Sequence, residues 1–123
     1  MNKIKTCMLQ VALSTLCLLS FSLPAFSANL AFMQDTAGQF FQDSDWQMFA
    51  ANVQHALNTL PNGKNETWIN PKTGHGGSLM PLNSMKKNGT VCRNLRIINR
   101  AQHRTDKYTF TYCKLGPGWK LQQ

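Results

Sequence analysis

Three histidines, four cysteines and five carboxylates are the residues from which this 123-residue chain could build a metal, nucleophilic or acid–base centre. His55, His75 and His103 lie in segments of different character. None has a second His at i+4 or a Cys at metal-ligand spacing, so the sequence predicts no metal site. No Gly-x-Ser-x-Gly elbow occurs. Ser78 is near His75, but the intervening Gly76-Gly77 reads more simply as a turn. Paired carboxylates are poorly supplied, because Asp43 and Asp45 suit the positive start of a helix. A small hydrolase using His75 or His103 is thus the weakest functional reading, and neither an enzyme nor a cofactor is expected. Gly74-His75-Gly76-Gly77 beside Lys72 offers a nest of backbone N–H groups for an anion. No Lys follows the glycines as in a phosphate loop, and a plain turn is the competing reading.

Charge is the stronger signal. There are 13 Lys and Arg against 5 Asp and Glu, a net +8. Removal of a leader carrying Lys3 and Lys5 leaves 11 basic and 5 acidic side chains, or +6. All 11 lie between Lys64 and Lys120, where Glu66 and Asp106 are the only acids. A field of one sign attracts anionic lipid headgroups or acidic glycans. Lys86, Lys87, Arg93, Arg96, Arg100, Arg104 and Lys107 form the candidate anion-binding set. The competing reading is a solvated face that keeps a small protein soluble.

Residues 1–27 read as an export signal. Lys3 and Lys5 precede the apolar run from Met8 to Leu19, and Ala25 and Ser27 stand at the −3 and −1 places for cleavage. Neither Cys7 nor Cys17 follows the small residue that lipidation needs, and no second apolar run of about 20 residues could span a bilayer. The mature chain is expected to be soluble, in the periplasm or outside, with peripheral attachment to the cell surface as one option. Export disfavours nucleic acid as a partner.

Residues 28–42 lack a clean period and are expected to be a leader that lays Phe32, Phe40 or Phe41 onto a domain at 43–123. Ser44 can cap a helix, with Gln47 completing a capping box. Trp46, Phe49, Ala50, Val53, Leu57 and Leu60 make its apolar face, and Gln47, Asn52, Gln54 and Asn58 face away. Pro61-Asn62-Gly63 stops it. Thr67–Ile69 and Gly76–Leu82 read as strands, the second at an edge because Pro81 cannot donate to a ladder. Residues 83–89 read as a basic loop, and Asn65-Glu66-Thr67 and Asn88-Gly89-Thr90 match the glycosylation triplet.

Cys92 and Cys113 survive processing, and an exported pair is normally oxidised. Setting them opposite each other in an antiparallel pair places Leu95 against Phe110 and Ile97 against Tyr108, with Val91 near Tyr112, on one apolar face. Asn94, Arg96, Thr109 and Thr111 fall on the other face. Residues 102–106 would be the loop, and Trp119-Lys120-Leu121 a last short strand. The expected fold is α+β: one amphipathic helix on an antiparallel sheet of four to five strands, with one disulfide.

Trp68-x-Asn70-Pro71-x-Thr73-Gly74, Gly77, Gly89-x-x-Cys92-Arg93, Cys113 and Gly118-Trp119 occur in that order, after a helix opening on Asp45-Trp46 and closing on Ala56-Leu57 before Pro61-x-Gly63. Over about residues 43–121 this resembles the bacterial surface-antigen domain family, the rickettsial-type small outer-membrane antigens. The resemblance implies a non-enzymatic envelope or surface protein and brings no catalytic residues. The lipid-attachment Cys of many members and the glycine-zipper segment of some are missing, which favours a soluble periplasmic or secreted product. The expected function is binding of an anionic surface through a basic hairpin. The rival is a structural envelope component with no specific ligand.

Overall fold

The computed structural model describes residues 35–123; residues 1–27, expected to be an export signal, and residues 28–34 of the expected leader lie outside the described residues. A helix, α1 (Asp43–Thr59), is followed by five strands: β1 (Glu66–Ile69), β2 (Gly76–Lys87), β3 (Thr90–Ala101), β4 (Arg104–Leu115) and β5 (Gly118–Leu121). The strands form one antiparallel meander in the order β1-β2-β3-β4-β5. This is the expected α+β architecture.

The helix starts earlier than its best capping residue suggests. Gln42, not Ser44, is the N-cap, and Asp45 Oδ2 accepts the Gln42 backbone N–H at 2.8 Å. Asp45 is itself fully buried, so the helix is rotated to point Asp45, Val53, Ala56 and Leu57 at the sheet. That rotation leaves Ala50 exposed, against expectation. It also brings Gln54, half-buried, and Asn58, still exposed, within hydrogen-bond reach of β5. Gln54 exchanges two hydrogen bonds with the Trp119 backbone, at 2.9 and 3.0 Å, and Asn58 Oδ1 accepts from the Trp119 indole at 2.9 Å.

The β3–β4 register places Cys92 opposite Cys113, Leu95 opposite Phe110 and Ile97 opposite Tyr108, as the disulfide and the side-chain alternation together require. The bond is present, and it closes a loop of 21 residues, worth roughly 3 kcal/mol on a chain-entropy estimate. Leu95 and Ile97 join Val53, Ala56, Leu57, Trp68, Leu79 and Trp119 in the core beneath α1. The sulfurs sit on the opposite face of the sheet. Val91, beyond the first β3–β4 pair, is exposed.

Three strand assignments need correction. β2 lies inside the sheet, not at an edge. Pro81 is accommodated because β1 ends at Glu66, opposite Leu79, and because β2 is irregular between Pro81 and Asn83. The supposed basic loop at 83–89 is strand as far as Lys87. Asn88 and Gly89 alone make the turn, with φ of 50° and 79°, the positive values of a tight hairpin. The β3–β4 turn likewise shrinks to Gln102-His103, with Gln102 at φ 56°.

The described part of the leader packs on the sheet. A 3-10 turn at Ala37–Phe40 buries Ala37 and Gly38, and the Ala37 N–H donates to the Asp106 carboxylate. Phe41 is buried in edge-to-face contact with Trp46 and Trp68, while Phe40 stays exposed; Phe32 lies outside the described residues.

Candidate functional site

Strand alternation sorts the charged side chains by face. Arg93, Leu95, Ile97 and Asn99 of β3 point to the helix side, and Cys92, Asn94, Arg96, Ile98 and Arg100 to the outer side. Through the paired registers, Lys87 of β2, Lys107 of β4 and Lys120 of β5 also belong to the outer side. That face therefore carries five cations. All five carboxylate side chains lie elsewhere: Asp43 and Asp45 on α1, Glu66 beside His55, Asp106 beneath the 3-10 turn, and Asp35 beside Arg104. With no carboxylate to neutralise them, the outer cations project an undivided positive field.

Arg96, Arg100 and Lys107 form the centre of this face. Lys107 stands opposite Ile98, between the two arginines, with Thr105 and Thr109 beside it. Arg100 and Lys107 are exposed. Arg96 is half-buried with its Nη1 3.9 Å from Met80 Sδ, and its Nε has no partner. Arg100 also borders an open groove of about 340 Å³ formed with Thr67, Ile69, Gly74 and Gly76. Two exposed apolar side chains also lie on this face, Ile69 on the edge strand β1 and Leu115 at the end of β4 beside the turn into β5.

The remaining four members of the candidate set are placed differently. Lys87 is on the outer face but at its far end, beside the Asn88-Gly89 turn. Lys86 is exposed and points to the opposite side. Arg104 donates to the Asp35 carbonyl at 2.7 Å and reaches its carboxylate at 3.4 Å, so it ties down the chain entering the 3-10 turn. Arg93 is a correction. Its side chain is buried under the C-terminus of α1 and donates to the Leu57 and Leu60 carbonyls and to Asn62 Oδ1, each at 2.7 Å. These carbonyls are orphaned by the end of the helix, and a cation there also meets the negative end of the helix dipole. Burial lowers the Arg93 pKa, yet a guanidinium keeps its charge. Arg93 closes a helix and is unavailable to an outside anion.

The other polar cluster is internal. Asp45 Oδ1 accepts from Asn70 Nδ2 at 2.7 Å and from the Thr73 hydroxyl at 2.6 Å; Oδ2 accepts from the Gln42 N–H and, at 2.9 Å, from His75 Nδ1. Since the acceptor is a carboxylate, His75 carries its proton on Nδ1. Burial alone would push the Asp45 carboxyl up; Thr73, the Gln42 N–H, His75 and Asn70 outweigh it and hold the pKa at about 2, below the ordinary 3.8. His75 stacks on Phe41 and is buried. These groups satisfy one another and fasten the β1–β2 turn to the start of α1.

The glycine nest does not form, because its donors are used. Gly74 N–H bonds the Asn70 carbonyl, His75 N–H bonds Thr73 Oγ1, and Gly76 and Gly77 are in the ladder. Gly76 and Gly77 instead allow close strand approach: a Cβ on either would strike the carbonyl oxygen of Trp68 or Ile98. His103 is exposed at the β3–β4 turn, and His55 bonds Glu66 at 3.1 Å. Among the described residues, no three His, Cys, Asp or Glu side chains gather as metal ligands, and no helix is long and apolar enough to cross a membrane.

No family model, curated protein or solved structure matches the chain.

Proposed function

We propose that this is an exported, non-enzymatic protein of surface-antigen type that binds an anionic membrane surface through the outer face of its sheet. The observation that carries the reading is the segregation of charge. Lys87, Arg96, Arg100, Lys107 and Lys120 share one side of the sheet, and every carboxylate side chain is elsewhere. At about 1 kcal/mol per cation near an anionic bilayer, five cations supply roughly 5 kcal/mol in dilute salt. Ile69 and Leu115, exposed on the same face, give apolar contact that suits a lipid interface better than an acidic glycan. Export agrees with the basic and apolar start of the sequence and with an oxidised Cys92–Cys113 pair.

Co-sedimentation with vesicles of phosphatidylglycerol and phosphatidylcholine tests this. The protein should pellet with anionic vesicles in dilute salt and stay in solution with pure phosphatidylcholine. Release should follow as the Debye length falls from about 30 Å at about 10 mM salt to about 8 Å at physiological strength. Negligible pelleting in dilute salt would remove the proposal and leave a structural envelope role.

A further inference from the structure

The five cations of the outer face are not evenly spread. Lys107 pairs with Ile98, so it is the diagonal neighbour of both Arg96 and Arg100. Diagonal neighbours on one sheet face are about 7–8 Å apart, within the span of extended Arg and Lys side chains. Lys87 and Lys120 stand at the other end, Lys87 beside the Asn88-Gly89 turn and Lys120 opposite Cys113. The face thus divides into a cluster of three cations and two separate ones.

The cluster surrounds a small apolar floor. Half-buried Ile98 lies at its centre, with Ser78 of β2 beside it. Thr109 is opposite Arg96 and Thr105 opposite Arg100, and both threonines are exposed. Arg96 is half-buried, with its Nη1 3.9 Å from Met80 Sδ. Arg100 borders the groove of about 340 Å³ with Thr67 and Ile69. Glu66 and Asp106, the acids of the neighbouring strands, fall on the helix side, opposite Leu79 and Asn99. The three positive charges therefore repel one another with no acid on their face to offset them.

An anion seated among them relieves that repulsion, and a dianion relieves more of it. A phosphate diester carries one negative charge and two free oxygens. A phosphate monoester carries about −1.5 to −2 at pH 7 and three strong acceptor oxygens. Each guanidinium presents forked donors that match phosphate, and the ammonium adds a point charge. Three cations flanked by two hydroxyls offer more than a diester can use and match what a monoester needs. Resting on the membrane reading above, we propose that Arg96, Arg100 and Lys107 form a site for a membrane lipid whose headgroup is a phosphate monoester. Lys87 and Lys120 answer to the general charge of the bilayer, and the cluster takes one headgroup.

The test compares phosphatidylcholine vesicles containing phosphatidic acid, a monoester, with vesicles containing phosphatidylglycerol, a diester, at about pH 7.5. The two compositions are matched in zeta potential, so the general attraction is equal. The protein should bind phosphatidic acid at least about tenfold more tightly, the factor for one further charge-assisted hydrogen bond. Arg100→Gln with Lys107→Gln should remove that preference. Lys87→Gln with Lys120→Gln should weaken binding to both lipids and keep it. All four side chains are exposed, so these changes leave the core intact. Glycerol 3-phosphate, at the phosphate concentration of the vesicles, should not release the protein. Three results would overturn this inference and leave binding to an anionic surface in place: equal affinity for the two lipids, a preference that survives loss of Arg100 and Lys107, or release by glycerol 3-phosphate. Absence of binding to either vesicle would overturn it together with the membrane reading.

Discussion

Replacing Asp45 by Asn tests whether the buried carboxylate holds the β1–β2 turn to α1. Each oxygen of Asp45 accepts from two donors: Asn70 and Thr73 at Oδ1, the Gln42 N–H and His75 at Oδ2. An asparagine has only one oxygen, so its NH₂ must face two of those donors in either orientation. Two charge-assisted bonds are lost, each worth about 1.5–3 kcal/mol net, and Asp45→Asn should cost roughly 3–6 kcal/mol at pH 7. The pH dependence supplies a second number. The folded pKa of about 2 lies below the ordinary 3.8, so the ionised carboxylate stabilises the fold fully above about pH 4. That stability is lost as pH falls through the folded pKa. The drop of nearly two pH units in pKa corresponds to about 2 kcal/mol, since one unit is about 1.4 kcal/mol. Asparagine does not titrate, so the gap between the two proteins should narrow by about 2 kcal/mol between about pH 5 and about pH 2. Urea unfolding followed by tryptophan fluorescence measures both quantities. A loss below about 0.5 kcal/mol at pH 7, the ordinary scatter of surface substitutions, would refute the reasoning, as would a gap that does not change with pH.

Arg93→Gln should destabilise by about 2–3 kcal/mol in the same assay, through three lost hydrogen bonds at the end of α1, while leaving vesicle binding of the folded fraction unchanged. Weakened binding would return Arg93 to the anion surface. Replacing both Cys92 and Cys113 by Ala should lower unfolding stability by roughly 3 kcal/mol, with the sheet register retained in amide NMR contacts. Gly77→Ala should cost more than about 2 kcal/mol or prevent folding, because the added methyl meets the Ile98 backbone and a side-chain shift cannot relieve it. A near-neutral melting temperature would show that the strands separate there at little cost.

The β3–β4 hairpin is legible in the sequence because two independent requirements, the disulfide and the apolar alternation, select one register. The same register puts Arg93 on the apolar side between Val91 and Leu95. A lone arginine in such a row, one strand away from the end of a helix, was the available signal for its capping role. The β2–β3 hairpin was equally legible. Asn88-Gly89 is the preferred pair for a turn with two positive φ values, but it is masked by its match to the glycosylation triplet. The Asp45 cluster is of another kind. Asn70, Thr73 and His75 reach Asp45 across 25 to 30 residues, and no local period or propensity encodes that convergence. Nor does any local preference favour Gln42 as N-cap over Ser44; the packing of Asp45 decides it. Residues on which the family resemblance rests, among them Trp68, Asn70, Thr73, Gly77, Arg93 and Trp119, hold the fold together in this chain. The outer-face cations lie largely outside that set.

Removing equal charge from two places on the molecule tests the cationic face most directly. Arg100→Gln, Lys107→Gln and Lys120→Gln together strip three exposed cations from the outer side, and Lys64→Gln, Lys72→Gln and Lys86→Gln strip three exposed ones from elsewhere. Both triple variants have the same net charge. Affinity for phosphatidylglycerol vesicles in dilute salt should fall by roughly 100-fold in the first, at about 1 kcal/mol per cation, and by less than about threefold in the second. Equal losses in the two would mean that net charge, and not the arrangement of the sheet, draws this protein to an anionic surface.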